Sequence, residues 1–101
     1  MLGEVGDKGD PLPHPPQLIP PGARVLDLGC GDGTLLARIR AEKQAAVLGI
    51  DIDLSNVIAA VGRGLNVFQG DIDEGLAMLA DQSFDVAVLS QTIQVVRQPR
   101  Q

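Results

Sequence analysis

From Arg24 onward, short runs of apolar residues alternate with stretches whose apolar residues recur at helical spacing. Arg24–Leu28 reads as a first strand, followed by a helix from Thr34 to about Lys43 with Leu35, Leu36 and Ile39 on one face. Asp32 or Gly33 stands at its cap. Ala46–Asp51 is a second apolar strand. Leu54 to about Gly62 is a second helix, with Leu54, Val57, Ile58 and Val61 as its inward stripe. Leu65–Gln69 forms a third strand, and Glu74–Ala80 a short helix with Leu76, Leu79 and Ala80 facing inward. Asp81-Gln82-Ser83 turns into a fourth, almost wholly apolar strand, Phe84–Leu89. Thr92–Val96 starts a further helix that Pro99 discourages. Repeated β–α–β units with apolar strands imply an α/β fold, a parallel sheet with right-handed crossovers, and a ligand at the C-terminal ends of the strands.

The chain divides near residue 20. Met1–Pro21 holds all but one of the seven prolines and lacks the apolar content to offset the entropy of ordering, so it reads as a flexible arm before a folded unit over 22–101. His14 lies in this arm with no metal-ligating neighbour, and no metal site is expected. Among the 101 residues, 45% are hydrophobic, and the net charge is −5. An acidic surface of this kind excludes nucleic acid and anionic membranes as natural partners. One cysteine permits no internal disulfide and suits a reducing, cytoplasmic setting. No apolar run approaches the roughly 20 residues that span a bilayer. With no Trp or Tyr and two Phe, the core must be aliphatic.

The first strand ends in Asp27-Leu28-Gly29-Cys30-Gly31-Asp32-Gly33, a glycine loop that opens the first helix. Strand–glycine-loop–helix units serve two ligand classes. Dinucleotides place a pyrophosphate on a G-x-G-x-x-G loop. Here the glycines instead fall at 29, 31 and 33, with Thr34 at the third position of the dinucleotide pattern. Acids also crowd the strand ends: Asp27, Asp32, Asp51, Asp53, Asp71 and Asp73. Like charges a few ångströms apart near a protein surface repel by roughly 4 kcal/mol, which disfavours a phosphate. A ligand bearing an ammonium and a sulfonium suits this charge, so the pattern prefers S-adenosylmethionine to NAD.

Asp51 lies 22 residues after Gly29, near the offset at which a carboxylate accepts from ribose hydroxyls in such folds. Asp53 is the neighbouring alternative, with a structural role as helix cap open to it. Gln69-Gly70-Asp71-Ile72 ends the third strand. With strand order 3-2-1-4 it borders the other two loops. It could offer a carboxylate to an adenine amino group and an apolar side chain to the ring, or be an ordinary Gly-Asp turn with a helix cap.

The segments VLDLGCGDG, GIDID, QGDIDEGL and FDVAVLSQTIQ together resemble a class I S-adenosylmethionine-dependent methyltransferase fold, a Rossmann-like parallel sheet. More narrowly, they resemble the methionine-biosynthesis family MetW, whose I-P-x-G-x-x-V-L-D-L-G-C-G-D-G opening and L-S-Q-T-x-Q segment are matched between about Leu18 and Val96. The resemblance implies that Asp27, Gly29, Cys30 and Gly31 surround the methionine moiety of S-adenosylmethionine or S-adenosylhomocysteine. It places Asp51 on the ribose, Ile52, Asp71 and Ile72 on the adenine, and Ser90 and Gln91 at the mouth. Cys30 is then a loop residue and not a nucleophile. The implied role is support of a homoserine O-acyltransferase partner in methionine synthesis; the alternatives are a methyltransferase of unknown acceptor and a non-catalytic fragment.

The family has a helical segment where this chain has its proline-rich arm, and three further strands after the fourth. The chain therefore reads as an N-terminal portion truncated after strand four. That leaves Val86–Leu89 as an uncovered apolar edge, from which self-association is expected.

Overall fold

The computed structural model describes residues 15–81, 83–90 and 94–97. Met1–His14, with the expected N-terminal stretch of the arm, lies outside the described residues, as do Gln82, Gln91 and Thr92. The chain forms strands β1 (Arg24–Leu28), β2 (Ala46–Asp51), β3 (Val67–Gln69), β4 (Val86–Leu89) and β5 (Gln94–Arg97). Its helices are α1 (Thr34–Lys43), α2 (Leu54–Gly62) and α3 (Ile72–Ala80). The sheet order is β3-β2-β1-β4-β5, parallel through β4 and antiparallel at β5.

Because alternate strand residues face opposite sides, the sheet carries a core on each face. Val25, Val47, Val86 and Val88 join Leu36 and Ile39 of α1 and Ala60 of α2 in one cluster. Leu26, Leu28 and Ile50 join Met78 and Leu79 of α3 and Phe84 in the other. At the end of the sheet away from the glycine loop, the Arg24 guanidinium grips the Asp85 carboxylate, donating from Nε at 3.3 Å and Nη2 at 3.1 Å. The Arg24 amide donates to the same carboxylate at 2.9 Å, which pins β1 to the start of β4. No helix of the described residues is long and apolar enough to cross a membrane.

The expected strand order holds and gains a fifth member. Where a helix was expected from Thr92, Gln94–Arg97 runs antiparallel to β4, with Val88 opposite Val95 and Ala87 opposite Val96. Val95 is buried while Val96 is half exposed, the alternation of a strand. The unpaired N–H and C=O groups of β4 favour that outcome over a short helix, and Val95 and Val96 are β-branched. The bare β4 edge expected from the sequence is thus covered by β5, and the ground for self-association through it disappears.

Other departures have local causes. Pro15–Leu18 forms a 3-10 turn and Ile19 is fully buried in the first cluster, so the last part of the expected arm packs on the folded unit. β3 starts at Val67 because Leu65 closes the exit of α2, its amide donating to Ala60 O. α3 starts at Ile72 because Asp71 and Glu74 form a capping box, each side chain accepting from the other's amide at 2.9 Å. The inward faces also differ. On α3, Gly75, Met78 and Leu79 turn inward, and Leu76 and Ala80 are exposed. A Cβ on Gly75 would meet Leu28 Cδ2 at 2.2 Å, so the bare glycine lets α3 sit on β1 and sets the helix's rotation.

On α2 the inward residues are Val57 and Ala60, and Leu54, Ile58 and Val61 are more than half exposed. Ile58 is 63% exposed, so Ile58→Lys is expected to shift stability by no more than about 0.5 kcal/mol. A loss above about 2 kcal/mol in urea unfolding would mean that the stripe is buried after all.

Candidate functional site

A cavity of about 470 Å³ opens at the C-terminal ends of the parallel strands, a size typical of small-molecule sites. Leu28 and Gly29 reach it from the end of β1 and the loop after it, Ile50, Asp51 and Ile52 from the end of β2 and the turn after it, Gly70, Asp71 and Ile72 from the β3–α3 junction, and Leu89 from β4. Gly29, Asp51, Ile52, Asp71 and Ile72, which sequence positions on three separate loops had suggested, therefore meet at one opening. Leu28, Ile50 and Leu89 were missed. Their signal was their place at strand ends, where alternate residues must face the mouth.

Asp51 holds the site together. Its Oδ2 accepts the Gly31 amide at 2.8 Å, and its Oδ1 accepts the Asp53 amide at 2.8 Å and Asn56 Nδ2 at 3.4 Å. One nearly buried carboxylate thus fastens the glycine loop to the start of α2. Asp53 takes the structural role: it caps α2, accepting from the Ser55 amide at 2.9 Å and Oγ at 2.7 Å. Those bonds hold its pKa below the usual carboxylate range. Asp71 does two things at once, since it caps α3 through Oδ1 and also lines the cavity. Gln69 Nε2 donates to Ile52 O at 3.0 Å, which ties the β3 end to the turn carrying Ile52.

The glycine loop is built differently from an anion cradle. The Gly29 and Cys30 amides both donate to Ile50 O, at 2.8 and 3.1 Å, and the Gly33 amide donates to Cys30 O. Gly31 is held by Asp51, as above. At the N-terminus of α1, where a phosphate would bind, the Asp32 carboxylate accepts from the Thr34 amide at 3.0 Å and Oγ1 at 2.7 Å. These bonds hold Asp32 below the usual carboxylate range, so the helix end already carries its own anion. Arg63 braces the loop from outside, its Nε donating to Asp32 O at 3.0 Å and its Nη2 to Thr34 Oγ1 at 3.1 Å.

Asp27, Cys30, Gly31 and Ser90, also expected at the site, are not among the residues lining the cavity. The Cys30 side chain belongs to the core cluster with Leu36, in contact with Gly49. Burial, reinforced by Asp27, pushes its thiol up to about 12, so it stays protonated and unreactive. Asp27 and Ser90 are joined to one another: Ser90 Oγ donates to Asp27 Oδ2 at 2.5 Å. Asp27 is 0% exposed, and its Oδ1 has no hydrogen-bond partner among the described residues. Burial raises its pKa to about 6, against the lowering pull of the Ser90 hydrogen bonds and with a smaller push from Asp51.

The family model described as methionine biosynthesis protein MetW matches residues 14–101. The bifunctional methionine biosynthesis protein MetXA/MetW of Rhodopirellula baltica is 36% identical over 88 residues, covering 79% of this chain and 14% of that protein. The ubiquinone biosynthesis O-methyltransferase of Paracidovorax citrulli is 36% identical over 84 residues, covering 77% of this chain and 35% of that protein. The chain thus spans well under half the length of either relative. With its motifs, its sheet order and this match over most of its length, the chain belongs to the MetW family.

Proposed function

We propose that the strand-end cavity takes S-adenosylmethionine or S-adenosylhomocysteine, and that the chain acts in methionine biosynthesis by supporting a homoserine O-acyltransferase. The observation that carries the ligand reading is Asp27: a fully buried carboxylate with one oxygen left without a partner among the described residues. Such an oxygen is costly unless a donor reaches it, and a cationic ammonium is the donor that fits. The committed amides of the loop and the Asp32 carboxylate on α1 favour the same answer, since both work against a pyrophosphate.

The residues present fit the cofactor. Gly29 at the cavity wall, with Asp27 behind it, would serve its amino-acid end. Asp51 would serve the ribose, because its carboxylate has four acceptor positions and the chain's own donors use three. Ile52 and Ile72, both exposed, offer apolar surface to the adenine, and Asp71 an acceptor for its amino group. When bound, S-adenosylmethionine supplies an electrophilic methyl group on a sulfonium. Ser90 would join the β4 end of this site through its bond to Asp27. The lone, buried thiol suits a reducing cytoplasm.

Partner support draws on the R. baltica relative, whose name joins MetXA and MetW in one chain. The O-methyltransferase relative favours a second reading, a methyltransferase acting on its own acceptor. Calorimetric titration with S-adenosylmethionine, S-adenosylhomocysteine and NAD tests the ligand: the two adenosyl compounds are expected to bind and NAD to give no heat. Equal binding of NAD would overturn the charge argument. Co-purification with a homoserine O-acyltransferase separates the partner role from the methyltransferase one, which predicts none.

A further inference from the structure

The Ser90–Asp27 hydrogen bond is the direct side-chain link between the ends of β4 and β1, made by residues 63 apart in sequence. It falls on Oδ2 of the buried Asp27 carboxylate, while Oδ1 of the same group has no partner among the described residues. We propose that Ser90 is a positioning residue for the cofactor site: it holds Oδ2 so that Oδ1 is aimed, and it keeps Asp27 ionised so that the site accepts a cationic ligand at neutral pH. This rests on the cofactor reading above and adds to it a source of pH control.

The surroundings of Asp27 explain why such a residue is needed. Asp51 from β2 is a like charge that opposes its ionisation. Cys30 from the loop is a neutral thiol, held protonated partly by Asp27 itself. The first core cluster brings Leu36 from α1 and Val88 and Val95 from β4 and β5, all apolar. Among the described groups acting on Asp27, the Ser90 hydroxyl and backbone bonds are those that favour its charged form. Donation to a carboxylate lowers its pKa, and desolvation raises it. Without the hydroxyl, desolvation would act with less opposition, and Asp27 would be protonated over more of the physiological range. A protonated Asp27 cannot pair with an ammonium.

The test compares the full chain with Ser90→Ala and Ser90→Thr. Carboxylate carbon shifts followed by NMR against pH give the Asp27 midpoint without any ligand. Ser90→Ala is expected to raise it by about 1 unit, and Ser90→Thr, which keeps the hydroxyl, to restore it. In parallel, S-adenosylmethionine affinity is measured from pH 5.5 to 8.5. The rise of affinity with pH should move upward in Ser90→Ala by the same shift, with a roughly fivefold loss near pH 6 that shrinks at high pH. A Ser90→Ala chain whose Asp27 midpoint and affinity profile match the wild type overturns the proposal. Should Ser90→Ala fail to fold, an Asp27→Asn chain that keeps the wild-type rise of affinity with pH overturns it instead. A shifted midpoint with no S-adenosylmethionine binding by any chain would instead sink the cofactor reading and leave the Ser90–Asp27 coupling standing.

Discussion

Gly33→Ala is expected to destabilise the chain by about 3 kcal/mol, a large share of the 5–15 kcal/mol that holds an ordinary domain together. Two costs combine. Gly33 has φ of +86°, a region that costs an L-residue roughly 1–2 kcal/mol. The added Cβ would also lie 2.6 Å from Leu65 Cδ1, 3.0 Å from Ala60 Cβ and 3.3 Å from the Ala60 backbone. Leu65 can turn aside, but Ala60 is fully buried on α2 and its backbone cannot, so overpacking adds roughly 1–3 kcal/mol. Gly31→Ala supplies the control. Its φ is +60°, yet nothing lies within 4 Å of the new Cβ, so only the backbone term of about 1 kcal/mol applies. Urea midpoints of the two variants decide the matter. Equal losses would show that the approach of α2 to the loop does not govern this glycine.

The second large effect is a stability that falls as pH rises. The folded pKa of Asp27, about 6, is raised above its ordinary 3.8, so the folded chain binds this proton more tightly than the unfolded one. The contribution is therefore fully present below 3.8 and is lost as pH climbs through about 6. Two pH units correspond to about 3 kcal/mol. Asp32 and Asp53 act with the opposite sign: their lowered pKa values stabilise above 3.8 and lose that effect only as pH falls below it. The windows do not overlap, so denaturant midpoints taken between pH 4 and 7.5 report chiefly Asp27. The ligand-free chain should weaken across that range, and Asp27→Asn should flatten the profile. A wild-type curve that rises from pH 4 to 7.5 would contradict the burial argument.

The contrast between these two sites shows what was legible in the sequence. β1, α1, β2 and α2 begin and end where their apolar runs and glycines had placed them, because each boundary rests on local chemistry. The faces of α2 and α3 were legible only at Val57 and Leu79. Both are decided by how closely a backbone approaches a bare glycine, Gly33 or Gly75, and periodicity carries no such information. β5 escaped because so short a run shows little periodicity, and the open side of β4 that pairs with it is not visible in the sequence. In the candidate site, the residue types were visible and their partners were not. Asp27 and Ser90 gave separate signals, but their bond depends on β4 lying beside β1. Asp51 was read as a ligand group, and its work as the fastener of Gly31 became visible only once β2 stood next to the loop.

That fastening bears on the kinetics of whatever enters the cavity. Gly29, Cys30 and Gly31 have their amides engaged by β2 and Asp51 without any ligand. The entropy of ordering the loop is therefore lost when the sheet assembles, not when the ligand arrives. Association can then approach the speed of simple encounter, without waiting for a rare loop conformation. These three protons belong with the slowly exchanging amides of the sheet, although a glycine-rich sequence suggests the reverse.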